Sequence, residues 1–236
     1  NRLNITTNAI YNLSSGYYIL SRILEWNGTH YNDSINGDSA SVAKKDGIVG
    51  WWHMDKKSGF DNDTLVYDWS GNGNNGIVIN ATFNSSQGSG RYAGGYFNFT
   101  NYGIRLSNSG ASSLNVTGSV TVSTWIKLDS YSGGNIPLVA RGIPSQPTAL
   151  QYGLMQRSNG AIDFEVSNYT KYNVTYVFAP LAKPALGVWT HALGTYNGTW
   201  MALYINGVLV SELATSFTSL NPNALFNTQV GIGHST

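Results

Sequence analysis

The sequence predicts an all-β protein, an antiparallel sandwich preceded by an N-terminal extension. Three observations carry that expectation. From residue 47 onward, apolar and polar residues alternate with period two, the side-chain period of a strand half-buried against a core. Turn residues punctuate the alternation at short spacing, and a helical period is nearly absent. The stretch "TWMALYINGVLVSEL" centres on Asn206-Gly207, the pair that most readily supplies the two positive-φ residues of a type I′ hairpin turn.

Residues 1–46 read as an extension and polar linker, separate from the domain expected over 47–236. In "AIYNLSSGYYILSRIL" the residues Ile10, Leu13, Tyr17, Leu20 and Leu24 are spaced 3, 4, 3, 4, one stripe of a helix that would serve as a stem for assembly. Ser15-Gly16 interrupts that stripe. Read the other way, "GYYILSRIL" is β-branched and aromatic enough to be a strand. Both readings stand, and either way the apolar stripe must bury against something. "NGTHYNDSINGDSAS" follows as linker.

Beyond it, "GIVGWWHM", "GIVINATF", "GGYFNFT", "SVTVSTWIKL", "QYGLMQR", "AIDFEVS", "VWTHALGTY" and the Asn206-Gly207 hairpin belong to a set of roughly ten to thirteen strands. In "SVTVSTWIKL", Val120, Val122, Thr124, Ile126 and Leu128 share one face; Thr121, Ser123, Trp125 and Lys127 share the other.

Composition excludes several classes. Thirteen basic and twelve acidic side chains leave a formal charge of +1, and only 11% of residues are charged. The basic residues are scattered, so no nucleic-acid footprint exists. No apolar run is long enough to cross a membrane as a helix, and with no cysteine there is no disulfide framework. Asn-x-Ser/Thr occurs at Asn4, Asn12, Asn27, Asn32, Asn62, Asn80, Asn84, Asn98, Asn115, Asn168, Asn173 and Asn197. That is more than twice the roughly five that composition alone would produce. It points to a heavily N-glycosylated extracellular, cell-surface protein. Few charges, no cysteine and dense sequons would suit an archaeal surface protein of hot acid.

Chemistry-bearing motifs are few. "DWSGNGNNG" (Asp68–Gly76) lacks the order of a dinucleotide fingerprint and the lysine of a P-loop, so it reads as a tight glycine turn. Asp68 and the loop carbonyls offer oxygens to a structural Ca²⁺, which takes six to eight; one carboxylate is too few to establish a site. Asp163 and Glu165 in "AIDFEV" sit two apart on a strand and project from one face. That pairing can stage glycoside hydrolysis, but the alternation with Ile162, Phe164 and Val166 reads first as a solvent-facing strand surface. His30, His53, His191 and His234 have no zinc-site spacing.

The combination "GIVGWWHMD", "YDWSGNGNNGIV", "GGYFNF", "SVTVSTWIKL" and "GVWTHALGTYNGTWMALYINGVLV" resembles the laminin-G-like branch of the concanavalin A-like lectin/glucanase jelly rolls, over roughly residues 47–234. The resemblance implies two curved antiparallel sheets stacked face to face, in a non-catalytic module that binds glycans or protein. It also implies Gly71, Gly73 and Gly76 as turn formers, with Trp189 and Trp200 as structural aromatics. His53 stands where the family often has proline. The acidic triad of related glucanases would align with Ala161, Asp163 and Glu165, with alanine in the nucleophile's place, so hydrolysis is not expected.

Family members continue past the "VGIG" strand into one more, which lies beside the N-terminal strand. A missing interior strand of ~6 residues strands about a dozen backbone groups, at ~1–3 kcal/mol for each that is buried and unpaired. The sequence therefore leads us to expect a vacancy filled by the chain's own extension, by that of a second copy, or by further sequence. Three functions are compatible with these readings: an adhesive or glycan-binding surface module; a structural subunit of an extracellular filament or surface layer, joined by strand donation or a helical stem; and a glycoside hydrolase or its accessory domain.

Overall fold

The computed structural model describes residues 2–3, 24–26, 31–33, 47–54, 61–84, 90, 95–99, 103–106, 113–131, 133–143, 148–169, 183–222 and 228–231. These residues carry sixteen strands and no helix. In chain order they are β1 Arg2–Leu3, β2 Leu24–Trp26, β3 Tyr31–Asp33, β4 Leu65–Val66, β5 Gly76–Val78, β6 Thr82–Asn84, β7 Tyr96–Asn98 and β8 Gly103–Leu106. Then come β9 Val120–Ile126, β10 Ile136–Gly142, β11 Leu150–Gln156, β12 Ile162–Val166, β13 Thr190–Tyr196, β14 Trp200–Ile205, β15 Val208–Ala214 and β16 Thr228–Gly231. The chain divides into two compact units, residues 1–51 with 70–72, and residues 52–69 with 73–236.

In the first unit β1, β2 and β3 form an antiparallel sheet, with Leu3 opposite Leu24 and Trp26 opposite Tyr31. Tyr31–Asp33, read from sequence as linker, is therefore a strand: backbone pairing is indifferent to the polarity of "YND". Leu24 opens β2, whereas Ile10, Leu13, Tyr17 and Leu20 lie outside the described residues. So does the rest of "GYYILSRIL", on which the expected filling of the sandwich rests.

"GIVGWWHM" was expected as a strand, and residues 47–54 carry none. Within the first unit, the carbonyls of Ile48 and Val49 accept side-chain hydrogen bonds, from Asn72 Nδ2 (3.1 Å) and Ser70 Oγ (3.4 Å) respectively. Within the second, Met54 has φ of 56°, which an extended run does not tolerate. Trp52 Nε1 donates to the Asn74 carbonyl (2.8 Å), and His53 stacks on Trp69 with ring centroids 4.9 Å apart. Side-chain contacts hold this segment in place of a ladder.

The second unit contains a seven-stranded sheet in the order β12-β11-β10-β16-β8-β5-β4, a four-stranded sheet in the order β15-β14-β13-β9, and the β6-β7 ribbon. β16, the "VGIG" strand, is interior, with Val230 opposite both Val139 and Ile104. Among the described residues β9 and β15 are the outer strands of the four-stranded sheet. The hairpin between β14 and β15 turns at Asn206 (φ 51°) and Gly207 (φ 80°), as the sequence predicted.

One core joins the two large sheets. Val120 and Val122 of β9, Ala192 and Tyr196 of β13, and Met201, Leu203 and Ile205 of β14 meet Leu138, Tyr152, Leu154, Ile162, Phe164 and Val166 of the other sheet. The predicted alternation holds: Val120 and Val122 are buried, while Thr121 and Ser123 are exposed. Gly76, expected as a turn former, is a packing glycine inside β5 instead. A Cβ there would lie 2.5 Å from Ile104 Cγ2 and 2.8 Å from Leu106 Cδ2.

Between the two large sheets, Gly194 of β13 lies beneath Phe164 of β12, where a Cβ would fall 2.2 Å from the Phe164 ring. Overpacking of a dense core costs roughly 1–3 kcal/mol. Gly194→Ala is expected to destabilise the fold by that amount and lower the urea midpoint accordingly, with the slope of the unfolding transition unchanged. An unshifted midpoint would show that the sheets separate without penalty.

Candidate functional site

Among the described residues two places concentrate chemistry, on opposite terms. The first is β12, where Ile162, Phe164 and Val166 turn into the core and Asp163 and Glu165 turn to the other face. The sequence placed those carboxylates in solvent; in the structure they are 2% and 0% exposed. Arg157, itself buried, explains the difference. It lies in the turn after β11, where its N–H donates to the Ala161 carbonyl (2.7 Å) and Gly160 takes φ of 87°. From there its Nε donates to Asp163 Oδ2 and its Nη2 to Glu165 Oε1.

One guanidinium thus serves two carboxylates. Burial, reinforced by the charge of Glu165 and opposed by Arg157, pushes Asp163 up to about 7. Among the described residues its Oδ1 has no hydrogen-bond partner, so nothing at that oxygen offsets the cost of burying the charge. The triad is buried, with one guanidinium for two carboxylates. A general acid must reach its substrate within hydrogen-bond distance, and these oxygens present no surface to one.

The second place is the outer face of the four-stranded sheet. Along β13, Thr190, Ala192, Gly194 and Tyr196 are buried, while His191, Leu193 and Thr195 face outward. Along β14, Met201, Leu203 and Ile205 are buried, leaving Trp200, Ala202 and Tyr204 on the outer face. The register sets Thr195 opposite Ala202 and Ala202 opposite Glu212. A groove of about 250 Å³ follows this row, lined by Thr195, Asn197, Trp200, Ala202, Tyr204 and Glu212. The small Ala202 leaves the floor low, and the two aromatics stand one pleat to either side, their Cα atoms about 13 Å apart at strand spacing.

Trp200 is 51% exposed, so it is not the structural aromatic that the family resemblance implied. Trp189 fits that description better, half-buried edge-on to Tyr96 (6.0 Å). Thr195 Oγ1 accepts from Thr121 Oγ1 at 3.4 Å, which leaves its own hydroxyl hydrogen available to a ligand.

The remaining candidates fall into place around these. Asp68 is buried and braces its loop: Oδ2 accepts from Asn74 N (2.9 Å), and its own N–H donates to Asn75 Oδ1 (2.9 Å). Among the described residues no three His, Cys, Asp or Glu cluster as a metal site would require, and no helix is long and apolar enough to cross a membrane. His191 packs beside Trp125 (5.1 Å), and its Nε2 hydrogen-bonds Ser123 Oγ (2.7 Å); burial lowers its pKa. His30 and His234 lie outside the described residues.

Of the sequon asparagines, Asn62, Asn80, Asn98 and Asn197 are exposed or half-exposed at turns and strand ends. Asn84, Asn115 and Asn168 are half-buried, with Asn84 Nδ2 donating to Tyr96 Oη (3.0 Å) and Asn115 Oδ1 accepting from Gln151 Nε2 (2.8 Å). Asn32 lies in β3, and Asn4, Asn12, Asn27 and Asn173 fall outside the described residues.

Sequence reasoning missed Arg157 as the partner of the acidic pair, and Thr195, Tyr204 and Glu212 as groove residues. It also missed Arg141, 1% exposed and bound through Nη1 to Thr228 Oγ1 (3.2 Å). The available signal for the groove was the outward "W-x-A-x-Y" alternation just after a turn.

The comparisons with known proteins agree with the architecture. The laminin-G model of the concanavalin A-like lectin/glucanases superfamily matches residues 98–235, more than half of the chain. This chain belongs to that superfamily. Among solved structures it is similar to domain 4 of AbnA, an extracellular arabinanase from Geobacillus stearothermophilus in complex with arabinotriose. There the TM-score is 0.52 and the identity 20%, over 75% of this chain and 82% of that one. It is also similar to Trypanosoma rangeli sialidase, with a TM-score of 0.51 and 14% identity, over 80% of this chain but 28% of the sialidase. At these identities the likeness is one of fold. No curated protein matches the chain in sequence.

The triad makes a signed prediction. Asp163 titrates at 3.8 when unfolded and at about 7 when folded, so between those values the native state holds the extra proton. Its contribution to stability is full below pH 4 and is lost as pH rises toward 7, by up to about 1.4 kcal/mol per pH unit. Urea unfolding across pH 4 to 8 should show this slope, and Asp163→Asn should flatten it. A slope of equal size in the variant would place its origin elsewhere.

Proposed function

We propose that the chain is a non-catalytic module of an extracellular cell-surface glycoprotein that works in adhesion or assembly by binding saccharide. The observation that carries this reading is the groove around Trp200. An aromatic that a soluble domain would ordinarily bury stands half in water, above a floor of alanine and beside a hydroxyl and a carboxylate. Aromatic faces stack on the C–H faces of sugar rings, while Thr195 and Glu212 offer a donor and an acceptor to ring hydroxyls. Domain 4 of the arabinanase, which shares the fold, is in complex with arabinotriose. The buried triad argues against hydrolysis, since the paired carboxylates face no substrate.

One observation favours a second reading, a structural subunit of a filament or surface layer. β15 is an outer strand, yet Val208, Leu209 and Leu213 are 64%, 45% and 40% exposed. An exposed strand edge with so much apolar area invites pairing with another chain. Electron microscopy of concentrated protein would show filaments under that reading and dispersed particles under the first.

The first reading is tested by applying the unmodified chain to an array of immobilised glycans. Binding above background is expected, weakened about tenfold or more by Trp200→Ala and by Glu212→Gln. An array without a hit, or hits indifferent to both substitutions, would remove the groove as the contact surface.

A further inference from the structure

We infer that Asn197 carries a sugar of its own that occupies the groove, so that modification of this one side chain decides whether the groove is free to bind saccharide from elsewhere. The inference rests on the glycan-binding glycoprotein reading above and adds a regulatory element to it.

The geometry begins in the turn between β13 and β14. Asn197-Gly198-Thr199 is a sequon and forms that turn, with Asn197 N donating to the Trp200 carbonyl (3.0 Å) and Gly198 at φ of 99°. Asn197 Oδ1 accepts three hydrogen bonds, from Thr199 N (3.0 Å), Thr199 Oγ1 (3.2 Å) and Trp200 N (2.8 Å). All three fall on the oxygen. They fix the plane of the amide and leave Nδ2, the atom to which a sugar is attached, without a hydrogen bond among the described residues. Asn197 is exposed, so that nitrogen is open to modification.

Asn62 adopts the same turn, its Oδ1 accepting from Thr64 N (2.8 Å), Thr64 Oγ1 (2.8 Å) and Leu65 N (2.9 Å). The two sequons differ in the side chain three positions on. For Asn62 it is the half-buried Leu65; for Asn197 it is Trp200, half in water, and both Asn197 and Trp200 line the groove. Asn62 is therefore an internal control, a turn of like geometry with leucine in place of the tryptophan.

Attachment uses a glycosyl phosphate donor and a separate transferase. The C1–Nδ2 bond forms as the C1–O bond to phosphate breaks, phosphate departs with the bonding pair, and one Nδ2 proton is lost to base. The product tethers a sugar ring at the rim of a groove of about 250 Å³, below the roughly 300 Å³ at which drug-sized pockets begin. That space suits a ring rather than a long oligosaccharide. A short tether holds the ring at an effective concentration on the order of millimolar, so a saccharide of equal intrinsic affinity must exceed that concentration in solution to displace it. With Asn197 bare, the groove binds in trans; with Asn197 modified, its own sugar covers Trp200.

The test compares the full chain from a host without N-glycosylation and from a secretory host that performs it. Peptide mass mapping reads occupancy at Asn197 and Asn62. In the glycosylated chain, with isotope-labelled sugars, the ring protons at Asn197 should show an upfield ring-current shift that Trp200→Ala abolishes, and the sugar at Asn62 should show none. Saccharide binding should be about tenfold or more weaker in the glycosylated chain than in the bare one. Thr199→Val, which removes the sequon but keeps its backbone donor, should restore it in the secretory host. Absence of sugar at Asn197 overturns the inference, as does a sugar there with no Trp200-dependent shift, or equal trans binding with and without it. Should the bare chain bind no saccharide, the glycan-binding reading fails, and the ring-current comparison still decides whether the tethered sugar occupies the groove.

Discussion

The sandwich closes on a contact between a side chain and the absence of one. Phe164 of β12 rests where Gly194 of β13 has no Cβ, and that clearance sets how near the two sheets come. Everything else on β12 is set by strand alternation. With Phe164 and its neighbours Ile162 and Val166 committed to the core, Asp163 and Glu165 have one direction left. Their face is covered, so this contact between the sheets obliges two carboxylates to lie buried side by side. Arg157 makes that arrangement tolerable. Two buried acids against one base leave a surplus negative charge, and the rise of Asp163 toward neutrality is how the structure sheds it.

The same alternation, applied to β14, has the opposite outcome. Met201, Leu203 and Ile205 fill the core, and Trp200, Ala202 and Tyr204 are carried to the outer surface. Where β12 hides charge, β14 displays aromatic area. The paired acids are sequestered and the tryptophan is offered to solvent, and that contrast is what supports our proposal of a contact role. A sequon asparagine, Asn197, lines the same groove as that tryptophan, and on this juxtaposition rests the proposal of a covalent sugar there.

Most strands were legible because their alternation and turns are local properties. "SVTVSTWIKL", "AIDFEVS" and the Asn206-Gly207 hairpin appear as strands where the sequence placed them. The failures share one cause. "GIVGWWHM" has strand composition, but a strand exists only where a ladder partner does, and side chains from Ser70 and Asn72 meet its carbonyls instead. Gly76 reads as a turn former because glycine usually is one; its neighbours Ile104 and Leu106, distant in sequence, make it a packing residue. Trp200 matches a position where the family resemblance implied a structural aromatic, yet it is half exposed.

By itself, the sequence determined the fold class, the family, the hairpin and which residues share a strand face, since each rests on neighbours a few positions apart. Only the tertiary structure decided which faces are wet. Asp163 and Glu165 share a face in any strand, but whether that face meets water, and that Arg157 meets them there, depends on what packs across it. Likewise, Thr195, Ala202 and Glu212 become one row only when β13, β14 and β15 pair in register. Burial and register are relations between distant segments, and no local pattern encodes them.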